Sequence, residues 1–242
     1  MTTFVLVPGM WLGAWAWRDV TARLRAAGHD VYPLTLTGLA DRRHLGSPQT
    51  DLDTHTADIT GLIEAEELTD VVLAGHSYGG FPVTAAADRL PDRIRQLVYV
   101  DSGPLPGTSL LETQAPEEHT PEPPDGWQVP PRVWADLDPP MRAGLTPALL
   151  DELHRRATPH PYGSLRQRLT VTGAWEKVPR TLVASTFPVD AVREMIAQGD
   201  PFFAHLGDAA LVAVPTGHWP MLSEPAALAD ALAALPAHPA HP

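Results

Sequence analysis

Cysteine is absent from the 242 residues of this chain, which excludes disulfide bonds, thiolate nucleophiles and thiolate metal sites. Positive charge is also scarce, with 17 Lys and Arg residues against 29 Asp and Glu residues. The resulting net charge of −12 disfavours nucleic acid and anionic membrane surfaces as partners, because an acidic protein repels both. A small-molecule substrate is therefore the expected partner.

Long apolar runs are missing as well. The uninterrupted apolar stretches fall far below the roughly 20 residues that a membrane helix requires. The N-terminus has neither a basic region nor a small-residue cleavage site of the kind found in signal peptides. We therefore expect a cytoplasmic protein without membrane contact, acting as a monomer or a homodimer. A chain of this length suits one α/β domain with an insertion.

Short apolar runs alternate with helical patterns along most of the chain. Phe4–Val7 is a continuous apolar run ended by Pro8-Gly9, which predicts a central strand buried on both faces. A helical pattern and a second strand from Asp30 complete a β-α-β unit, hence a parallel pair. The alternation predicts a mostly parallel, doubly wound α/β sheet. Further strands are predicted at Val71–Ala74, Ile94–Val100, Arg180–Thr186 and Ala210–Val214, and helices at Thr56–Glu67, Pro147–Leu153 and Asp190–Gln198.

The composition changes after residue 102. Proline is dense between residues 103 and 161, which no parallel sheet tolerates. Long insertions in compact domains tend to be lids or binding loops. We interpret 103–178 as a partly helical cap over the crevice of a core formed by 1–102 and 179–242. Trp127 and Trp134 in this segment favour a packed cap over a disordered linker, and we expect both to contact substrate.

One short motif carries the chemistry. The predicted strand Val71–Ala74 runs directly into Gly75-His76-Ser77-Tyr78-Gly79, and an alanine-rich helical pattern follows. This is G-x-S-x-G in the strand–turn–helix setting of a nucleophile elbow, in which a tight turn pushes the serine hydroxyl clear of the sheet. A side chain at Gly75 or Gly79 is expected to collide with the neighbouring helix and strand. Ser77 is therefore the candidate nucleophile.

A serine hydroxyl needs an imidazole to accept its proton and a carboxylate to orient that imidazole. Of the 11 histidines, His218 follows the last predicted strand directly, which places it at the same edge of the sheet as Ser77. His76 lies beside Ser77 on the turn, but adjacent residues there point different ways. We expect His76 to pack or to form a hydrogen bond beneath the turn, where it also borders the substrate. His29, His55, His154, His238 and His241 are expected to be structural.

Three motifs together resemble the α/β-hydrolase superfamily, and within it the branch of plant methylesterases, hydroxynitrile lyases and related bacterial esterases. They are Val5-Leu6-Val7-Pro8-Gly9-Met10-Trp11, Gly75-His76-Ser77-Tyr78-Gly79-Gly80 and Thr216-Gly217-His218-Trp219-Pro220-Met221-Leu222-Ser223-Glu224-Pro225. The resemblance implies the α/β-hydrolase fold and a reaction without cofactor or metal. It also implies an oxyanion hole formed by the backbone N–H groups of Met10 and Tyr78. Pro8 stands where this branch usually has histidine.

The acidic member of the site has two candidates. Plant members of the branch usually take it from the loop after the strand that corresponds to residues 182–184, but this chain has Ser185-Thr186-Phe187-Pro188 there and no carboxylate before Asp190. Asp101 ends the strand that follows the elbow, a position that some α/β-hydrolases use instead. We assign the acid to Asp101 and keep Asp190 as the alternative.

The leading hypothesis is a serine hydrolase that cleaves an ester, lactone or thioester through an acyl-enzyme. Trp11, Tyr78 and Trp219, with the cap tryptophans, are expected to form an apolar pocket for a hydrophobic or aromatic group. One alternative is a lyase of the hydroxynitrile type, which relies on a lysine beside the site, and the only lysine here is Lys177. The other is a binding protein of the same fold without catalysis.

Overall fold

The strands of the computed structural model, which describes residues 1–114, 120, 122–123 and 126–235, form two sheets. Among these residues, six parallel strands make the larger sheet, in the order β2-β1-β3-β4-β7-β8, and β5 pairs antiparallel with β6. The parallel α/β sheet predicted from the alternating pattern is therefore confirmed. In chain order the strands are β1 (Thr3–Val7), β2 (Asp30–Pro33), β3 (Val71–His76), β4 (Ile94–Val100), β5 (Gln128–Val129), β6 (His160–Pro161), β7 (Arg180–Ala184) and β8 (Ala210–Ala213).

The sheet reverses its direction of growth between β1 and β3. Strand β1 pairs with β2 on one side and with β3 on the other, so the chain winds one way and then back. At such a switch point the loops after neighbouring strands diverge and leave a crevice at the carboxyl edge. Met10 follows β1 and Ser77 follows β3, so both lie at this crevice.

Helices cover the sheet. Helix α1 packs against α9, and α2 packs against α3, which contacts β3 and β4. Within the described residues, no helix is long and apolar enough to cross a membrane. The helices are α1 (Arg18–Ala26), α2 (Leu52–Ala65), α3 (Gly80–Arg89), α4 (Leu110–Thr113), α5 (Pro147–Arg156), α6 (Tyr162–Arg166), α7 (Val189–Ala197), α8 (Pro220–Ser223) and α9 (Pro225–Ala233).

Helix α2 begins four residues before the predicted start at Thr56. Asp51 is the reason, because its carboxylate accepts a hydrogen bond from Thr54 N–H at 2.9 Å. In return, the Thr54 hydroxyl oxygen accepts a hydrogen bond from Asp51 N–H. This capping box satisfies two otherwise unpaired N–H groups of the first turn. The apolar periodicity shows only which residues of the helix face the core, whereas the N-cap residue Asp51 determines where the helix starts.

The segment that we interpret as the cap, 103–178, has little regular structure in its described part. It contains the short helices α4, α5 and α6 and the small β5–β6 sheet. Helix α5 opens with Pro147 at its first position, where the missing N–H has no intrahelical partner to lose. These elements contact the loops at the carboxyl edge of the large sheet, as described below.

The elbow glycines leave no room for a side chain. A Cβ atom added at Gly75 would lie 2.5 Å from the Gly79 carbonyl oxygen and 2.8 Å from a methyl group of Val83 on α3. A Cβ atom added at Gly79 would lie 2.9 Å from the Val7 carbonyl oxygen at the end of β1. The collision expected from the sequence is therefore confirmed, with the helix at Gly75 and with the strand at Gly79.

We predict that Gly75→Ala lowers the free energy of unfolding by about 1–3 kcal/mol, because the turn and α3 must move apart. Gly61→Ala is the matched control, since Gly61 lies inside α2 with nothing within 4 Å of an added Cβ atom. That substitution should raise stability by up to about 1 kcal/mol through helix propensity. Urea denaturation of both variants measures the difference, and equal stabilities would contradict the packing argument.

Candidate active site

Ser77 lies on a sharp turn between β3 and α3. Its φ is +51°, a left-handed conformation that is costly for a residue with a side chain. The turn continues as a single helical turn over Ser77–Gly79. The Ser102 hydroxyl donates a hydrogen bond to the Ser77 carbonyl oxygen at 2.5 Å and so holds the turn from the β4 side. These contacts fix the strained backbone and direct the Ser77 side chain into the cavity described below.

His218 and Asp101 come together from the loops after β8 and β4. Nδ1 of His218 lies 2.6 Å from Oδ2 of Asp101, so the imidazole donates a hydrogen bond to the carboxylate. Both side chains are largely buried. This contact is the one expected from the sequence, and it leaves Nε2 of His218 as the nitrogen able to accept a proton.

The Asp101 carboxylate is held in its charged form. Burial alone would raise the pKa of Asp101, but hydrogen bonds from His218 and Thr186 outweigh burial and lower that pKa to about 2. Thr186 donates through its hydroxyl at 2.6 Å and through its N–H at 2.9 Å, and Ser185 N–H donates at 3.2 Å. An ionised carboxylate at this position keeps the proton of His218 on Nδ1.

Sequence reasoning missed this role of the loop after β7. The absence of a carboxylate from Ser185-Thr186-Phe187-Pro188 directed attention to Asp101, yet the loop supplies the hydrogen bonds that hold the carboxylate there. The only signal in the sequence is the pair Ser185-Thr186, which can donate hydrogen bonds and follows a strand next to the one that ends before Asp101. That signal is weak, because Ser and Thr are common in loops.

Ser77 and His218 line a single cavity of about 490 Å³. No hydrogen bond joins the Ser77 hydroxyl to His218 among the described residues, and such catalytic contacts often tighten only when a substrate binds. The walls are mostly apolar. Trp134 lies between Trp11 and Trp219, with ring centroids 5.6 and 5.3 Å away and both pairs edge-to-face.

Two backbone N–H groups are available beside Ser77. Met10 lines the cavity, and no described group accepts a hydrogen bond from its N–H. Tyr78 occupies the first turn of the helical segment that begins at Ser77, where N–H groups lack intrahelical acceptors. These are the two groups expected from the sequence to form an oxyanion hole.

His76 lies beneath the turn, as expected, and is wholly buried. Its Nε2–H donates a hydrogen bond to the His218 carbonyl oxygen at 2.6 Å and so holds the backbone of that residue. Burial and then the proximity of His218 lower the pKa of His76 to about 3. His76 is among the residues that line the cavity, and the expectation that it also contacts substrate stays a prediction.

Two further aromatic residues lie elsewhere than expected. The Tyr78 side chain is wholly buried away from the cavity, and its hydroxyl donates a hydrogen bond to Nδ1 of His55 at 2.7 Å. Trp127 does not line the cavity, and it packs near Gly46 while its carbonyl oxygen accepts a hydrogen bond from Tyr162 N–H. Residues from loops distant in sequence cover both side chains, which periodicity does not reveal.

Asp190 and Lys177 also lie outside the cavity. The Asp190 side chain is 89% exposed on the first turn of α7 and pairs with Arg193, so it is not the partner of His218. Lys177 precedes β7, whereas Ser77 and Asp101 lie at the carboxyl edge of the sheet. A five-residue strand spans roughly 16 Å, which separates the lysine from this edge.

Comparison with known proteins identifies the family of this chain. A model of the alpha/beta hydrolase family matches residues 4–231. The chain belongs to the α/β-hydrolase family. A carbendazim-hydrolysing esterase from Nocardioides sp. is 37% identical over 97% of this chain and 100% of that protein. Methyl jasmonate esterase 1 from Vitis vinifera is 38% identical over 48% of this chain and 45% of its own length.

The α/β-hydrolase fold is also evident from solved structures. An extracellular α/β-hydrolase from a Paenibacillus species superposes with a TM-score of 0.78 at 22% identity, covering 96% of this chain and 98% of the other. A methylesterase from Arabidopsis gives a TM-score of 0.72 at 24% identity, covering 96% and 98%. The resemblance of the three motifs to this superfamily is thus confirmed over nearly the whole chain.

Buried neutral histidines make the stability of this α/β-hydrolase depend on pH. Burial lowers the pKa of His55 to about 4 and that of His76 to about 3, against about 6.5 in an unfolded chain. Below pH 6.5 the unfolded chain binds protons that the folded chain does not. We predict that the free energy of unfolding falls as the pH drops from 6.5 to 4, each such histidine contributing about 1.4 kcal/mol per pH unit at most.

Urea denaturation at several pH values tests this prediction. His55→Gln removes one buried imidazole and should make the dependence on pH shallower by that amount, whatever its effect on absolute stability. His44 is exposed, so His44→Gln is the matched control and should leave the slope unchanged. A slope unaffected by His55→Gln would contradict the prediction.

Proposed function

We propose that this chain is a serine hydrolase that cleaves carboxylic esters through an acyl-enzyme on Ser77. The observation that carries the proposal is the 2.6 Å contact between His218 Nδ1 and Asp101, next to a serine on a strained turn in the same cavity. Membership of the α/β-hydrolase family and the esterases among its relatives support the same reaction class.

The proposed reaction has two halves. His218 Nε2 accepts the proton of Ser77 as its oxygen attacks the ester carbonyl carbon, and Asp101 stabilises the imidazolium that forms. The N–H groups of Met10 and Tyr78 donate hydrogen bonds to the developing oxyanion, each worth on the order of 2.7–4 kcal/mol in comparable enzymes. The protonated His218 then gives its proton to the leaving alcohol, and a water molecule activated by the same imidazole hydrolyses the acyl-enzyme.

A small, largely apolar ester suits the cavity. Its volume of about 490 Å³ admits a molecule of one or two rings, and the tryptophans provide edges and faces for aromatic contact. One relative is named for hydrolysing carbendazim, and another is named for a methyl ester, methyl jasmonate. We therefore propose methyl esters and related carbonyl derivatives of aromatic or other apolar groups as the substrate class.

The alternatives have less support. The lyase reading requires a lysine beside the serine, and Lys177 lies at the opposite edge of the sheet. A binding protein without catalysis requires only the cavity and not a polarised imidazole. The contacts of Asp101 with His218 and Thr186 give the imidazole the environment of a general base, which favours catalysis over binding alone.

We predict that Ser77→Ala abolishes hydrolysis of p-nitrophenyl acetate and labelling by a fluorophosphonate probe. Asp101→Asn should lower kcat by roughly 10³- to 10⁴-fold, because an amide holds the imidazole in the wrong tautomer. Asp190→Asn is the matched control and should change kcat by less than twofold, since Asp190 faces solvent. Absence of hydrolysis and labelling in the unmodified protein would refute the proposed function.

The substrate class has its own test. We predict a higher kcat/KM for the methyl ester of an aromatic carboxylic acid than for the methyl ester of a long-chain fatty acid, because Trp11, Trp134 and Trp219 line the cavity and offer edges and faces for aromatic contact. Steady-state rates of methanol release at matched concentrations measure the ratio, with Ser77→Ala as the blank. A preference for the fatty ester would show that the cavity does not set the specificity.

A further inference from the structure

The turn that carries Met10 has an unusual conformation. Gly9, Met10, Trp11 and Leu12 form a turn closed by a long hydrogen bond of 3.4 Å from Leu12 N–H to the Gly9 carbonyl oxygen. Trp11 occupies the third position with a φ of +64°, where turns with positive φ favour glycine. A bulky residue is strained in this conformation, so other contacts must hold it.

Those contacts come from the cap. Thr158 N–H donates a hydrogen bond to the Trp11 carbonyl oxygen at 3.0 Å, and the Trp11 indole N–H donates to the Val129 carbonyl oxygen at 3.1 Å. The Trp11 backbone N–H donates to Nδ1 of His160 at 3.3 Å. Val129 and His160 are paired residues of the β5–β6 sheet, so both strands of that sheet hold Trp11. Three groups of the cap form hydrogen bonds with Trp11, and only one of them, the His160 imidazole, belongs to a side chain.

The neighbours of His160 fix its tautomer. His160 is wholly buried, and its Nε2 lies 2.9 Å from the Ser164 hydroxyl oxygen. Ser164 donates its single hydroxyl proton to the Pro161 carbonyl oxygen at 2.8 Å, because a carbonyl can only accept. Nε2 of His160 must therefore carry the proton, and Nδ1 is left as the acceptor for Trp11 N–H. Burial and then the proximity of His55 keep the pKa of His160 well below its ordinary value, which keeps the ring neutral.

We infer that His160 is a positioning residue for the oxyanion hole. The N–H that it accepts belongs to the peptide group directly after Met10, so the contact fixes the backbone torsion on the carboxyl side of the Met10 donor. His160 itself is not among the residues that line the cavity. It acts through Trp11, and the inference rests on the proposed function because it assigns Met10 N–H to the oxyanion.

A pair of substitutions separates positioning from packing. His160→Asn places an amide oxygen near the position of Nδ1, where it accepts the Trp11 N–H. His160→Gln places its amide one bond farther out, near the position of Nε2, and leaves that N–H without an acceptor. We expect His160→Gln to lower kcat by roughly 10- to 100-fold with KM changed by less than threefold, since the oxyanion interaction exists only in the transition state. His160→Asn should keep kcat within about threefold of the unmodified protein.

The experiment measures kcat and KM with p-nitrophenyl acetate, together with thermal melting of each variant. His154→Gln is the control for an exposed histidine of the cap and should leave both constants unchanged. The inference is overturned if His160→Gln keeps its kcat, if the loss falls on KM, or if both His160 variants lose kcat equally while melting normally.

Two further measurements make every outcome decisive. If His160→Gln does not fold, His160→Ala takes its place, because it also leaves the Trp11 N–H without its side-chain acceptor. A loss of kcat at constant KM then supports the inference, and an unchanged kcat overturns it. Ser77→Ala is assayed in parallel. Activity that persists in Ser77→Ala refutes the proposed function itself, whereas loss in Ser77→Ala with full activity in His160→Gln refutes the positioning role alone.

Discussion

The hydrogen bond between Asp101 and His218 imposes the main constraint on this chain, because the two loops that it joins must meet at one edge of the sheet. Asp101 follows β4, Thr186 follows β7 and His218 follows β8, and these strands are consecutive neighbours in the sheet. Parallel pairing therefore delivers the carboxylate, its supporting donors and the imidazole together. Ser77 arrives from β3 on the other side of β4, and the left-handed turn lifts it into the same space.

The cap not only covers the cavity but also supports the loops that form the site. The carbonyl oxygens of Met141 and Ala143 accept hydrogen bonds from the N–H groups of His218 and Gly217, so the cap supports the loop of the proposed base. Its β5–β6 sheet holds Trp11 on the other side of the cavity. The cap therefore contacts the two loops whose geometry the proposed reaction needs. Changes in cap sequence are expected to alter turnover as well as specificity.

Histidines that the reaction does not use still shape the site. His55, His76 and His160 are wholly buried, and each is neutral, because burial penalises the charged ring. In each case a carbonyl or hydroxyl oxygen accepts a hydrogen bond from Nε2–H, which fixes the tautomer. His55 orients Tyr78, His76 holds the backbone of His218, and His160 holds Trp11. A rigid network of this kind is stable only above the pH at which its rings would become protonated.

Local sequence alone predicted the six strands of the large sheet, the elbow around Ser77 and the order of serine before histidine, because apolar runs and the spacing of glycine act over a few residues. It also excluded thiol chemistry and indicated His218 and Asp101. Only the tertiary structure shows that Asp101 rather than Asp190 contacts His218, that the Tyr78 side chain is buried away from the cavity and that Trp127 does not line it. It also joined His160 to Trp11 across 149 positions of sequence. Such contacts depend on how loops from separate strands and the cap pack together, and no local pattern encodes that packing.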